Sequence, residues 1–199
     1  MDDVFRTIQN KSEGLYKDKG SKFIALAFPI ETEQSIKQCL ADTRKAYHDA
    51  RHHCYAYAIG KDHDHYRIND DGEPSGTAGK PIYGQIQSYN LTNILIIVVR
   101  YFGGTKLGVR GLINAYKAAA KDAIDNNIII EKHITKRYRV DFEYAEMNNV
   151  MRILKDMELP QENHNFSETC SLEFSVRQSL AQVVFDAFTS IEKAKITPI

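Results

Sequence analysis

The segment Asn93–Asn126, NILIIVVRYFGGTKLGVRGLINAYKAAAKDAIDN, decides how the chain folds. It opens with Asn93–Val99, an apolar run of strand length with no alternation, which is the pattern of a strand covered on both faces. Gly103-Gly104 breaks that strand. From about Lys106, the residues Val109, Leu112, Ile113, Tyr116, Ala120 and Ala123 recur at helical spacing along an alanine-rich helix that ends near Asn126. A buried strand, a glycine turn and an amphipathic helix in succession predict a helix packed on a sheet.

Upstream, Lys22–Pro29 reads as a strand, and Thr32 can cap a helix whose apolar positions are Ile36, Cys39, Leu40 and Tyr47. His53–Ile59 alternates large residues with the small Cys54, Ala56 and Ala58, so one face of that strand suits close packing. Asp70–Pro81, DDGEPSGTAGKP, is a loop by its glycines and prolines, and Ile82, Ile86 and Tyr89 mark a helix after it that ends near Asn90. Downstream, Ile128–Ile130 gives a short strand, and the charged run Glu131–Arg137 then separates two patterns. The expected domains are therefore residues 1–133 and 134–199. The second reads strand (Arg137–Tyr144), helix (Ala145–Met157), strands (Asn165–Cys170 and Leu172–Val176), helix (Gln178–Thr189) and strand (Ala194–Pro198). That βαββαβ order is ferredoxin-like, and its aromatics lie on the core-facing parity, so its sheet is not expected to stack bases. The fold class is α+β.

At 199 residues with 43% hydrophobic and 26% charged content, the chain suits one large or two small globular domains and not long disorder. Lysine and arginine balance aspartate and glutamate at 26 each, which excludes the overall basic footprint of many nucleic-acid binders. Three cysteines without a close pair suggest neither a disulfide framework nor a zinc knuckle. The longest apolar run, Ile94–Val99, is far short of the roughly 20 residues that span a bilayer, and the acidic start Met1-Asp2-Asp3 is unlike a signal peptide. A cytoplasmic protein without membrane partners is expected.

Charge is nevertheless uneven. From Pro74 to Lys121 the cations are Lys80, Arg100, Lys106, Arg110, Lys117 and Lys121, and the stretch contains no acid. Within it the Gly103-Gly104 turn leads into a helix, whose first amides can bind an anion while glycine lets a ligand come close. The candidate anion or nucleic-acid site is Arg100, Gly103, Gly104, Thr105, Lys106 and Arg110, joined by Ser75, Thr77 and Lys80 from the other glycine-rich loop. The plainer alternative is that these glycines only permit a tight turn and close packing. Neither a Walker A sequence nor GxGxxG is present.

His52, His53, Asp62, His63, Asp64, His65, Asp70, Asp71 and Glu73 crowd one region, but their spacing matches no familiar metal pattern, and a solvated face is expected there. Cys54 with His52 or His53 suggests a cysteine hydrolase. Strand alternation places Cys54 opposite His53, however, and Cys54 is expected to be a buried structural residue. No catalytic residue, metal or cofactor is assigned.

Three blocks are distinctive in their own right: Arg51-His52-His53-Cys54-Tyr55-Ala56, Asp70-Asp71-Gly72-Glu73-Pro74-Ser75-Gly76-Thr77-Ala78-Gly79, and Arg100-Tyr101-Phe102-Gly103-Gly104 with Leu107-Gly108 and Arg110-Gly111-Leu112. On these blocks the chain resembles the IMPACT family, in its bacterial YigZ-like branch, over about Ser21–Lys121. The resemblance implies a ribosomal protein S5 domain 2-like fold followed by a ferredoxin-like domain, a pairing similar to the fourth and fifth domains of elongation factor G. It also implies a role in translation or its regulation, with RNA or the ribosome as the expected partner. The alternatives are a protein-interaction regulator that binds no nucleic acid and an enzyme acting on an anionic small molecule. The RWD domain and protein partner of eukaryotic members are not carried over.

Overall fold

The computed structural model describes residues 3–61, 65–167 and 169–199. The chain is α+β and divides into two compact units, Phe5–Lys132 on the one hand and His133–Ile199 with the chain start up to Val4 on the other.

The Phe5–Lys132 unit is built on an antiparallel sheet of β2 (Ser12–Asp18), β3 (Ser21–Pro29), β4 (His52–Ile59), β5 (His65–Asn69) and β6 (Ile94–Tyr101), in the order β2-β3-β6-β4-β5. Central β6 is buried at every position from Ile94 to Arg100 because both sheet faces are covered. On one face Cys54, Ala56, Ala58, Ile96 and Val98 meet α2 (Gly79–Ser88) through Ile82 and Ile86, and α3 (Gly108–Asp125) through Leu112, Ala115, Tyr116 and Ala119. On the other, Tyr55, Leu95, Ile97 and Val99 meet Ile36, Cys39 and Leu40 of α1 (Glu33–Ala46). Small residues on the first face bring helix and sheet into close contact. A Cβ built on Gly14 of β2 would lie 2.3 Å from the Ala123 nitrogen of α3. Thr32 caps α1 as expected, its side chain accepting from the Ser35 amide at 3.2 Å. No helix among the described residues is long and apolar enough to cross a membrane.

The other unit runs β8 (Thr135–Glu143), α4 (Met147–Asp156), β9 (Gln161–Phe166), β10 (Thr169–Arg177), α5 (Ala181–Thr189) and β11 (Ala194–Pro198), with strand order β11-β8-β10-β9 and every pairing antiparallel. This is the ferredoxin-like arrangement. Tyr138, Phe142, Leu172 and Phe174 turn inward onto Val150, Leu154, Val184 and Phe188, while Arg137 and Arg139 on the other sheet face pair with Glu173 and Asp141. The aromatics of β8 and β10 thus all lie on the inward parity, opposite these paired charges. The strand expected at Asn165–Cys170 is displaced. β9 starts earlier, at Gln161, and Cys170 belongs to β10, because the polar residues Gln161–Asn165 lie on an exposed edge strand that carries no apolar alternation.

Asp3 is a buried carboxylate within this unit. It accepts from Arg177 Nη2 at 2.7 Å and from the Ser179 amide and hydroxyl at 3.1 and 2.7 Å. The Arg177 guanidinium first, then Ser179, holds the Asp3 carboxyl well below the usual carboxylate range. A lowered folded value means stability that is present above the ordinary carboxylate pKa and lost as pH falls below it. Asp3→Asn should therefore unfold at lower temperature than the parent at neutral pH, with the gap closing in acid, as followed by circular dichroism melts. We also expect residues 137–199 expressed alone, even without Asp3, to unfold cooperatively with dispersed amide resonances. A collapsed spectrum would show that this unit depends on the rest of the chain.

Candidate functional site

The distinctive blocks meet at the Arg100 end of β6. Asp70 folds its carboxylate back onto its own loop, where it accepts from the amides of Gly76, Ala78 and Gly79 at 2.8, 3.0 and 2.8 Å. The α2 N-terminus thus already holds an anion, supplied by the chain. This corrects the expectation for the second glycine-rich loop. Thr77 is buried and donates to the Pro74 carbonyl at 2.6 Å, while Ser75 and Lys80 are exposed and line neither of the cavities described below.

Asp71 clips the same loop to β4. Its carboxylate accepts from the His53 amide at 2.7 Å and Arg44 Nη2 at 2.9 Å, and its carbonyl lies 2.9 Å from His52 Nδ1. A carbonyl only accepts, so Nδ1 carries a proton in this contact. Cys54 Sγ lies 2.9 Å from the Asp70 carbonyl and 3.3 Å from the Tyr116 hydroxyl, and its single S–H donates to the nearer of them, the carbonyl. Burial pushes the thiol of Cys54 and the phenol of Tyr116 far up, so neither ionises near neutrality. Cys54 therefore lacks the thiolate that a nucleophile needs. Cys54→Ala should cost about 1 kcal/mol of stability in a denaturant titration and leave ligand binding unchanged. Loss of binding at unchanged stability would contradict the structural role.

Glu73 is the residue on which the site turns. Its Oε1 accepts from Arg100 Nη1 at 2.6 Å and from the Tyr116 hydroxyl at 2.8 Å, all three residues being buried. The Arg100 guanidinium lies 5.5 Å from the Phe23 ring and 5.6 Å from the Phe102 ring, and its buried Nε has no partner. Arg100 is thus an ion-paired residue with a compensated charge, not the free cation expected. Glu73 and Tyr116 were absent from the expected site because one stands just outside the acid-free stretch and the other sits in a helix's apolar stripe.

Two cavities share Arg100 and Phe102. One, of about 420 Å³, is lined further by Glu73, Lys106, Leu107, Gly108, Val109 and Leu112, and the other, of about 380 Å³, by Asp49, Arg51, His52 and Tyr101. The first contains the α3 N-terminus, which has no capping side chain and no acid in its first turn. Of the expected residues, Arg100 and Lys106 come together here. Thr105 and Arg110 are exposed and outside the lining, Arg110 being the third residue of α3. Gly103 is a packing residue. A Cβ there would lie 1.9 Å from the Gly20 carbonyl carbon, and its amide donates to Ser21 Oγ at 3.1 Å. Gly104, at φ +88°, supplies the left-handed step of the turn and points into open space.

Asp62, His63 and Asp64 lie outside the described residues, and among those described no three His, Cys, Asp or Glu side chains group as a metal site.

The Impact N-terminal domain model matches residues 19–124, which span β3 to α3 and all three distinctive blocks. IMPACT family member YvyE of Bacillus subtilis is 28% identical over 95% of this chain and 87% of its own, and IMPACT family member YigZ of Escherichia coli is 33% identical over 68% of each. A crystal structure described as that of a hypothetical protein superposes with a TM-score of 0.76 at 24% identity, covering 100% of this chain and 98% of the other, which concerns the fold alone. The chain belongs to the IMPACT family.

Proposed function

We propose that this protein is a translation-associated binding protein of the cytoplasm that holds RNA, on the ribosome or free, at the cavity beside the α3 N-terminus. The observation that carries the reading is the contrast between two helix starts. That of α2 is filled by Asp70, whereas that of α3 has no acid and no cap, and opens into a cavity rimmed by Lys106. Unfilled first-turn amides and a nearby ammonium suit a phosphate. Because Glu73 offsets Arg100, the positive charge at the cavity comes from Lys106, with Arg110 exposed outside its lining, and neither has an acidic partner within salt-bridge distance among the described residues.

Ribosome co-sedimentation at low and high salt tests this directly. Phosphate-based association should be present at low salt and fall steeply as salt rises. Absence from the ribosomal and RNA fractions at low salt would refute it.

A second reading, binding of an anionic small molecule, is favoured by the cavity's volume of about 420 Å³, which falls within the range typical of small-ligand sites. Saturable thermal stabilisation by a phosphorylated metabolite, without RNA binding, would select it.

A further inference from the structure

Phe102 stands where the two cavities meet, and 57% of its surface is exposed. The guanidinium of Arg100, a residue only 7% exposed, lies 5.6 Å from the centre of the Phe102 ring and 5.5 Å from that of the buried Phe23. The backbone beneath is fixed, because Gly103 is bonded to Ser21 and has no room even for a Cβ against Gly20. The result is an exposed aromatic ring on a rigid support, with the ion-paired Arg100 against it and an ammonium, Lys106, and an open helix start beside it. A free aromatic face next to cations is the arrangement that binds the bases of single strands. Every base has a π-face to stack while a neighbouring cation takes the backbone.

We propose that Phe102 is a stacking platform for one base of single-stranded RNA, whose adjoining phosphate sits at the α3 N-terminus beside Lys106. The inference rests on the RNA reading above and narrows it. Paired bases are already stacked inside their helix and cannot use the ring, so duplex RNA gains only the phosphate contact. No base is preferred, because stacking does not read base edges.

The test is fluorescence anisotropy on the full chain with three labelled probes: a short oligouridylate, an abasic strand with the same number of phosphates, and a duplex of the same length. The parent should bind the oligouridylate tightest. Phe102→Ala should weaken that binding roughly five- to a hundred-fold and leave the abasic strand unaffected, while Phe102→Trp restores it. Because the side chain is largely exposed, both variants should melt like the parent, which a thermal scan verifies. Equal binding of oligouridylate and abasic strand by the parent, or an unchanged affinity in Phe102→Ala, overturns the platform but spares the RNA reading. Failure of all three probes to bind at low salt overturns both.

Discussion

Glu73→Ala should lower the melting temperature of the chain by roughly 10 °C or more, a larger loss than the neighbouring Cys54→Ala. The substitution removes both hydrogen bonds made by Glu73 Oε1 and leaves the Arg100 guanidinium buried without its counter-ion. Breaking one side of a buried pair costs about 3–5 kcal/mol, most of it the desolvation of the charge left behind. Arg100 is buried, with its guanidinium near the Phe23 and Phe102 rings, so its unpaired charge would be poorly hydrated. Removing both charges together should therefore be milder than removing one. Glu73→Leu combined with Arg100→Met should melt well above Glu73→Ala, with a coupling energy of about 1 kcal/mol or more in the double-mutant cycle. Glu73→Ala melting within two or three degrees of the parent would mean that water compensates Arg100 and that the pair does not hold the loop.

The second large effect is on binding. Lys106→Glu with Arg110→Glu should abolish association with RNA or ribosomes while the protein remains folded. Both side chains are exposed and neither contributes to the core, so stability should change by less than about 0.5 kcal/mol. The electrostatic change is large because it inverts the sign at a helix start whose amides already favour an anion, placing two carboxylates where a phosphate should sit. Circular dichroism melts establish the fold and co-sedimentation establishes the loss. Retained binding in the folded double variant would place the contact elsewhere on the surface.

How much of this was visible in the sequence depends on which way each residue faces. Ile94–Val99 and the stripe Leu112–Ala123 were readable because one is buried on both faces and the other on a single helical face, so each leaves an unmistakable period. The strands β2, β5 and the two-stranded ladder of β1 (Val4–Ile8) with β7 (Ile129–His133) were harder. In β2 the core-facing positions are Ser12 and Gly14, not branched apolar residues, and in β5 the positions His65–Ile68 are all exposed on an edge. β7 was recognised only as Ile128–Ile130, since its second half is charged.

The candidate site was legible as a cluster of residues but not as a circuit. Arg100, Lys106 and the glycine turn were identified from local charge and glycine content. Nothing local tells that Asp70 satisfies three amides of its own loop, or that Glu73 reaches across to Arg100 and Tyr116. Those partners are separated by 27 and 43 positions in the chain and meet only once the sheet and α3 have formed. Gly103 shows the same limit. Its need for zero side-chain volume comes from the turn between β2 and β3, and not from a ligand.

The measurement closest to the central claim is the salt dependence of affinity for single-stranded RNA, compared between the parent and Lys106→Gln with Arg110→Gln. Each phosphate neutralised in a single strand contributes about 0.7 to the slope of log affinity against log salt. If Lys106 and Arg110 each contact a phosphate, the variant's slope should be shallower by about 1.4 and its affinity lower at low salt. Identical slopes and affinities in the two proteins would contradict a phosphate site at the start of α3.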